Sequence, residues 1–340
     1  MGGYVGSFNT RTEWQIDVSV LEVAIAVAVS SVWCMIAPVL GPRLGFVDMP
    51  DRDARLKVHR RPAVPLGGIG VFAGVHLGLA VGDRFNLGLF VASAVVLVLG
   101  LIDDRLGLSP IVRLGVELTA GVLLMGFAFE DSLGPARFLI GVIIVVITIN
   151  AVNLFDGLDG LAGSAAIVAA IGLALMAANR DIEPAFSLIL AVALVGFLPL
   201  NWHPARVFLG DNGAYVVGLL LAFAMLQVGR GGSLIELAAP VSLLGVFALD
   251  LVVAILRRLL NARPLFEGDR SHIYDQLVDR GLSVPTVALL AGAGEATVAT
   301  IALAVDNWFT GVAVLVLVAA LLLIMIGSAA AAGFLQREPS

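Results

Sequence analysis

Apolar residues in this chain come in runs too long and too continuous for a water-soluble core. A bilayer crossing takes roughly 20 of them in a row, and polar stretches separate runs of about that length. Eleven spans are predicted, over 17–39, 66–82, 86–102, 111–129, 137–152, 160–178, 184–200, 213–229, 235–256, 283–304 and 309–333. Several are short or hold glycines, so the count is ten or eleven. No alternation of polar and apolar residues signals a transmembrane barrel. The expected fold is all-α, a polytopic integral membrane protein with one domain over 1–340. The first run follows a polar stretch whose only cation is Arg11. That pattern suits a retained span rather than a cleaved signal peptide.

Composition supports the bilayer as solvent. The 340 residues are 59% hydrophobic and 14% charged, against about a quarter charged in soluble domains. The single cysteine, Cys34, excludes an internal disulfide framework. The net charge of −6 matters less than where the charges fall. With the N-terminus outside and the C-terminus cytoplasmic, only Arg11, Arg84, Arg137, Arg180 and Arg230 face outward. The other fifteen of the twenty cations face the cytoplasm, which fixes the orientation by the positive-inside rule. Polar mass then gathers in cytoplasmic segments 42–65, 103–113, 153–160, 201–213 and 257–282.

The acids fall on that same side. Asp103 and Asp104 close the third span, Asp156 and Asp159 follow the fifth, and Asp211 precedes the eighth. Asp250 lies near the cytoplasmic end of the ninth, where a lone acid is costly. Glycines frame the clusters at 100, 157, 160, 210 and 213, and glycine lets backbone approach a ligand closely. If 156–159 is helical, its two carboxylates share a face. Asp211 begins a span, where free N–H groups favour an anion. Converging carboxylates suit a hard divalent cation, Mg²⁺ first and Mn²⁺ as a substitute. No histidine–cysteine spacing points to zinc. Acids and bases together at a bilayer surface point to metal-assisted phosphoryl chemistry.

Four stretches carry a family resemblance: Lys57-Val58-His59 through Pro62 to Gly67-Gly68, Gly100 to Arg105, Asn153 to Gly160, and Asn201 to Gly213. In this order the chain resembles the polyprenyl-phosphate N-acetylhexosamine-1-phosphate transferases. The resemblance covers about Val47 to Gly281. It implies transfer of a sugar-1-phosphate from a UDP-HexNAc, with UDP-GlcNAc expected, to undecaprenyl or another polyprenyl phosphate, releasing UMP in the plasma membrane. It further implies that Asp211 is the metal ligand and that Asp103, Asp104 and Asp156 are catalytic, with Asp103 a candidate base. Asn153, Asp156, Asp159, Asn201 and Phe208 are implied to contact the nucleotide, Phe208 by stacking on uracil. Lys57, His59, Arg270 and His272 are implied to hold phosphate or sugar. The implied partners are these two substrates and membrane lipids, with no nucleic acid, and a homodimer is compatible.

Two departures from the family pattern stand out. The family often carries His-x-His-His in its last cytoplasmic loop. Here His272 keeps the first histidine, and Tyr274 and Asp275 take the other two places. The family's lysine after the aspartate pair is also missing, with Arg113 nearby. Three other readings remain at this level. Arg257-Arg258 is expected to anchor a span to headgroups. His76 is expected to be a packing histidine, and His203 a loop residue. Two rival functions are a muramoyl-pentapeptide transferase of the same superfamily and a secondary transporter using intramembrane acids.

Overall fold

A computed structural model describes residues 18–49, 62–129, 134–230, 234–264, 271–309 and 311–335. Among them every predicted span is helical. The helices are α1 (Val20–Leu44), α2 (Gly67–Val81), α3 (Leu87–Leu106), α4 (Pro110–Phe127), α5 (Pro135–Phe155), α6 (Leu161–Asn179), α7 (Ala185–Asn201) and α8 (Gly210–Val228). There follow α9 (Ala238–Ser242), α10 (Gly245–Leu260), the short α11 (Ile273–Asp279), α12 (Val284–Trp308) and α13 (Val312–Ala331). Eight are long and apolar enough to cross a bilayer alone; α2 and α7 are shorter apolar helices. The protein is a multi-pass membrane protein.

Local chemistry sets the helix ends. Ser19 and Glu22 form a reciprocal capping box at α1, and Asn86 caps α3 by accepting the Leu89 N–H at 2.8 Å. Pro110 and Pro135 open α4 and α5, where a missing N–H costs nothing. Gly45 and Gly107 close α1 and α3 in the left-handed region.

The ninth predicted span, 235–256, is not continuous. It breaks between α9 and α10 with a bend of 91°. Pro240, with no N–H, interrupts the ladder within the short helical piece before the bend. The chain turns at Leu243 and Leu244, whose N–H groups donate back to Pro240 and Val241. Gly245 then passes so close to α12 that a Cβ would lie 2.6 Å from Val298. The start of α10 is capped from another span: Glu295 of α12, fully buried, accepts the Val246 N–H at 3.0 Å. A buried N–H inside a bilayer needs such a partner.

At the centre stands α8, apolar around its whole circumference and buried almost throughout from Asn212 to Leu226. Its neighbours reach it through glycine. A Cβ on Gly68 of α2 or Gly100 of α3 would overlap the backbone of Asn212 or Gly213, and one on Gly218 would come within 2.6 Å of Ile149 of α5. The acid-bearing ends of α3, α5 and α8 therefore meet at one end of the bundle. At the opposite end Arg84 pairs with Glu22 and Glu183, and Arg180 with Asp306.

Three substitutions test these constraints. Glu295→Leu strands the Val246 N–H and should lower stability by about 1–3 kcal/mol, whereas Glu295→Gln keeps an acceptor and should cost less. Gly100→Ala should separate α3 from α8 and cost about 1–3 kcal/mol. Thermal unfolding in detergent reads all three. Equal melting of Glu295→Leu and Glu295→Gln would remove the cap, and wild-type melting of Gly100→Ala would remove the close crossing.

Candidate active site

The segment leading into α8 is held as an extended strap. Phe208 donates its N–H to the Val64 carbonyl at 3.0 Å, and Gly67 donates to the Phe208 carbonyl at 3.0 Å. Gly210 then turns the chain with φ of +73°, and a Cβ there would meet Pro65 O at 2.9 Å and Asp104 Oδ2 at 3.0 Å. Only glycine fits both the angle and the space. Helix α8 begins with unpaired N–H groups, and Asp104 takes two of them. Its Oδ1 accepts from Asp211 at 2.9 Å and its Oδ2 from Asn212 at 3.2 Å. The Asn212 side chain bridges Asp104 Oδ2 and the Pro65 carbonyl, each at 2.7 Å. Asp104 thus links α3 to α8 and to the segment before α2.

Asp103 points elsewhere. Its Oδ1 accepts the Leu108 N–H at 2.7 Å, and its Oδ2 accepts the Tyr215 hydroxyl at 2.5 Å. Arg113 Nε lies 2.8 Å from the same Oδ2. The side chain is buried and does not line the cleft described below. Tyr215 and Arg113, its partners from α8 and α4, carry no separate signal in the sequence beyond Arg113 standing near the missing lysine.

The stretch 156–160 is a turn and not a helix, because α5 stops at Phe155 and α6 starts at Leu161. Asp156 and Asp159 still reach the same cleft from this turn. Asp159 Oδ2 accepts the Ala205 N–H at 3.0 Å and lies 2.7 Å from His203 Nδ1. His203, expected to be loop structure only, is therefore also part of the wall. Asn201 ties the Gly160 N–H to the Val207 carbonyl, each bond 3.0 Å. Burial pushes the Asp156 carboxyl well above the usual carboxylate range, and the nearby charges of Asp211, Asp104 and Asp159 add to that rise.

These pieces enclose a cleft of about 260 Å³. Asp104, Asn153, Asp156, Asp159, Asn201, Phe208 and Asp211 all line it, as does Asp48, which the sequence did not single out. Lys57, His59 and Arg270 lie outside the described residues. His272 is buried beside this wall and is absent from the lining. Its Nδ1 lies 2.6 Å from Asp250 Oδ2, and Asp250 Oδ1 accepts the Ile273 N–H at 2.8 Å. So the costly acid of the broken span serves the histidine loop. Arg257 and Arg258, expected at the headgroups, are instead buried, with Arg257 donating to the Ser271 carbonyl at the start of that loop.

Comparison with known proteins agrees with this geometry. Residues 86–229 match the model of Glycosyl transferase family 4. The chain is 32% identical over 300 residues to the decaprenyl-phosphate N-acetylglucosaminephosphotransferase of Mycobacterium tuberculosis, covering 74% of this chain and 73% of the relative. It is 27% identical over 288 residues to a probable undecaprenyl-phosphate N-acetylglucosaminyl 1-phosphate transferase of Bacillus subtilis, covering 79% and 80%. It is 26% identical over 285 residues to the undecaprenyl-phosphate alpha-N-acetylglucosaminyl 1-phosphate transferase of Escherichia coli, covering 76% of each chain. With the acids at span ends around one cleft, and relatives of this identity along three quarters of its length, the chain belongs to glycosyl transferase family 4 and is a membrane phosphoglycosyl transferase.

Proposed function

We propose that the protein transfers GlcNAc-1-phosphate from UDP-GlcNAc to a polyprenyl phosphate such as undecaprenyl phosphate, at the cytoplasmic face of the plasma membrane, with Mg²⁺ as cofactor. The observation that carries this reading is the convergence of Asp104, Asp156, Asp159 and Asp211 on one cleft at the end of the bundle. The activities named for the relatives support the sugar and the lipid.

The donor set fits the cation. Among the described residues no group of three His, Cys, Asp or Glu side chains could by itself hold a metal ion. Asp211 instead offers its oxygens at an open cleft, and Asp104, Asp156 and Asp159 around it gather negative charge there for a cation to offset. Mg²⁺ binds in this manner, keeping waters and taking substrate phosphate oxygens. When bound, it would neutralise the donor diphosphate and the departing nucleotide.

The reaction is a direct displacement. An oxygen of the lipid phosphate bonds to the β-phosphorus of the donor. The bond from that phosphorus to the bridging oxygen breaks, and UMP leaves with the electron pair. The attacking phosphate is already an anion, so the chain's main work is positioning. Asp211 would hold the cation, and Asp104 fixes Asp211 by accepting its backbone N–H. Asn153, Asp159 and Phe208 face the nucleotide, and Phe208 supplies an aromatic surface for uracil. Asp103, with both oxygens engaged, holds Tyr215 and Arg113 in place rather than accepting a proton.

Purified protein with Mg²⁺, undecaprenyl phosphate and a panel of UDP-sugars should release UMP from UDP-GlcNAc. Asp211→Asn should abolish turnover with melting retained. UMP release from none of the UDP-HexNAc donors by folded protein would overturn the reading. A second test concerns Asp156. Because its folded pKa is raised, the native state binds more protons than the unfolded chain above about pH 4. Stability in chelator should therefore fall as pH rises from that point and level off above the raised value. Melting curves across this range should show a shallower fall for Asp156→Asn. Parallel curves for the two proteins would contradict the raised Asp156 carboxyl.

A further inference from the structure

The wall of the cleft between Asn153 and Asp159 has a backing that the proposed reaction does not use. It is Tyr274, standing where the family motif has its second histidine. The Tyr274 hydroxyl donates to the Leu154 carbonyl at 2.9 Å. Leu154 lies in the last turn of α5, whose carbonyls have no partner within the helix. The Tyr274 ring stacks on His272, with centroids 5.3 Å apart and planes 7° from parallel, and meets Phe155 edge-on at 5.9 Å. Gly157 lies directly against it. A Cβ at 157 would overlap the phenol, so this glycine makes room for a side chain of the protein.

The residues on either side are also fixed. Asp250 holds both His272 and the Ile273 N–H, and Gln276 donates to the Ser271 and Phe334 carbonyls. Helix α11 is thereby seated on α10 and on the segment after α13. From that seat Tyr274 reaches across to the end of α5. A phenol carries its donor at the far tip of the ring, which suits a bridge to a helix-terminal carbonyl.

We infer that Tyr274 is a positioning residue, fixing the Asn153–Asp159 wall by joining α11 to the end of α5 through the space left by Gly157. The wall carries Asp156 and Asp159, so its placement sets how the nucleotide end of the donor is held. That last consequence rests on the proposed transferase activity, whereas the mechanical link does not.

Hydrogen exchange and kinetics on the full-length protein test the two parts separately. Tyr274→Phe keeps the ring and removes the donor; Gly157→Ala keeps the donor and fills its space. Both should speed amide exchange in 156–160 and leave exchange in α8 unchanged. Both should also raise the KM for UDP-GlcNAc about fivefold, the worth of one neutral hydrogen bond, with kcat and the KM for polyprenyl phosphate little changed. Unchanged exchange at 156–160 in both variants would overturn the inference. So would faster exchange spread equally over α8, which marks a general stabiliser, or a local change with an unaltered donor KM. Local loosening in a wild-type background that releases no UMP would uphold the link and overturn the transferase reading instead.

Discussion

The site depends on how the first turn of α8 is paired at the membrane surface. A helix starts with N–H groups that its own carbonyls cannot satisfy, and a bilayer offers no water to do so. Asp104 satisfies two of them and also takes the Asn212 side chain. That one carboxylate holds α3, α8 and the segment before α2 in a fixed relation. Asp211 is consequently presented at the cleft from a helix terminus whose position is determined by its neighbours. The same arrangement keeps negative charge against the positive end of a helix dipole, which offsets part of the cost of gathering acids.

Glycine allows that arrangement, and its use here differs from the expectation drawn from sequence. Gly68 and Gly100 let α2 and α3 lie directly on the start of α8. Gly157 makes room for Tyr274, and Gly160 faces Trp202 with φ of +74°. The glycines around the acids thus serve contacts within the protein, and the open space of the cleft lies between the side chains. Gly210 alone is required both by its positive φ and by its closeness to Asp104.

Much of the architecture was legible because membrane burial imposes long apolar runs, and every run but the ninth forms one principal helix. The acids were legible as a group because several glycine-framed carboxylates fall at span ends on one side of the membrane. The break in the ninth span was not, although Pro240 and Gly245 mark it, since hydropathy carries on unchanged across the bend. Whether 156–159 is helix or turn was open in the sequence, because the spacing of two acids suits either. Asp103 and Asp104 could not be told apart, since adjacent residues at a helix end point in different directions and only the packing of α8 decides which one faces the cleft. The pairings of Asp250 with His272 and of Asp159 with His203 join residues 22 and 44 positions apart, beyond the reach of local pattern.

The most direct test of the central claim follows the phosphorus. UDP-GlcNAc labelled at the β-phosphate should pass its label to the polyprenyl lipid, with unlabelled UMP released in equal amount. Label leaving with the nucleotide as UDP would show that the glycosidic bond breaks instead, and would contradict direct displacement at the diphosphate.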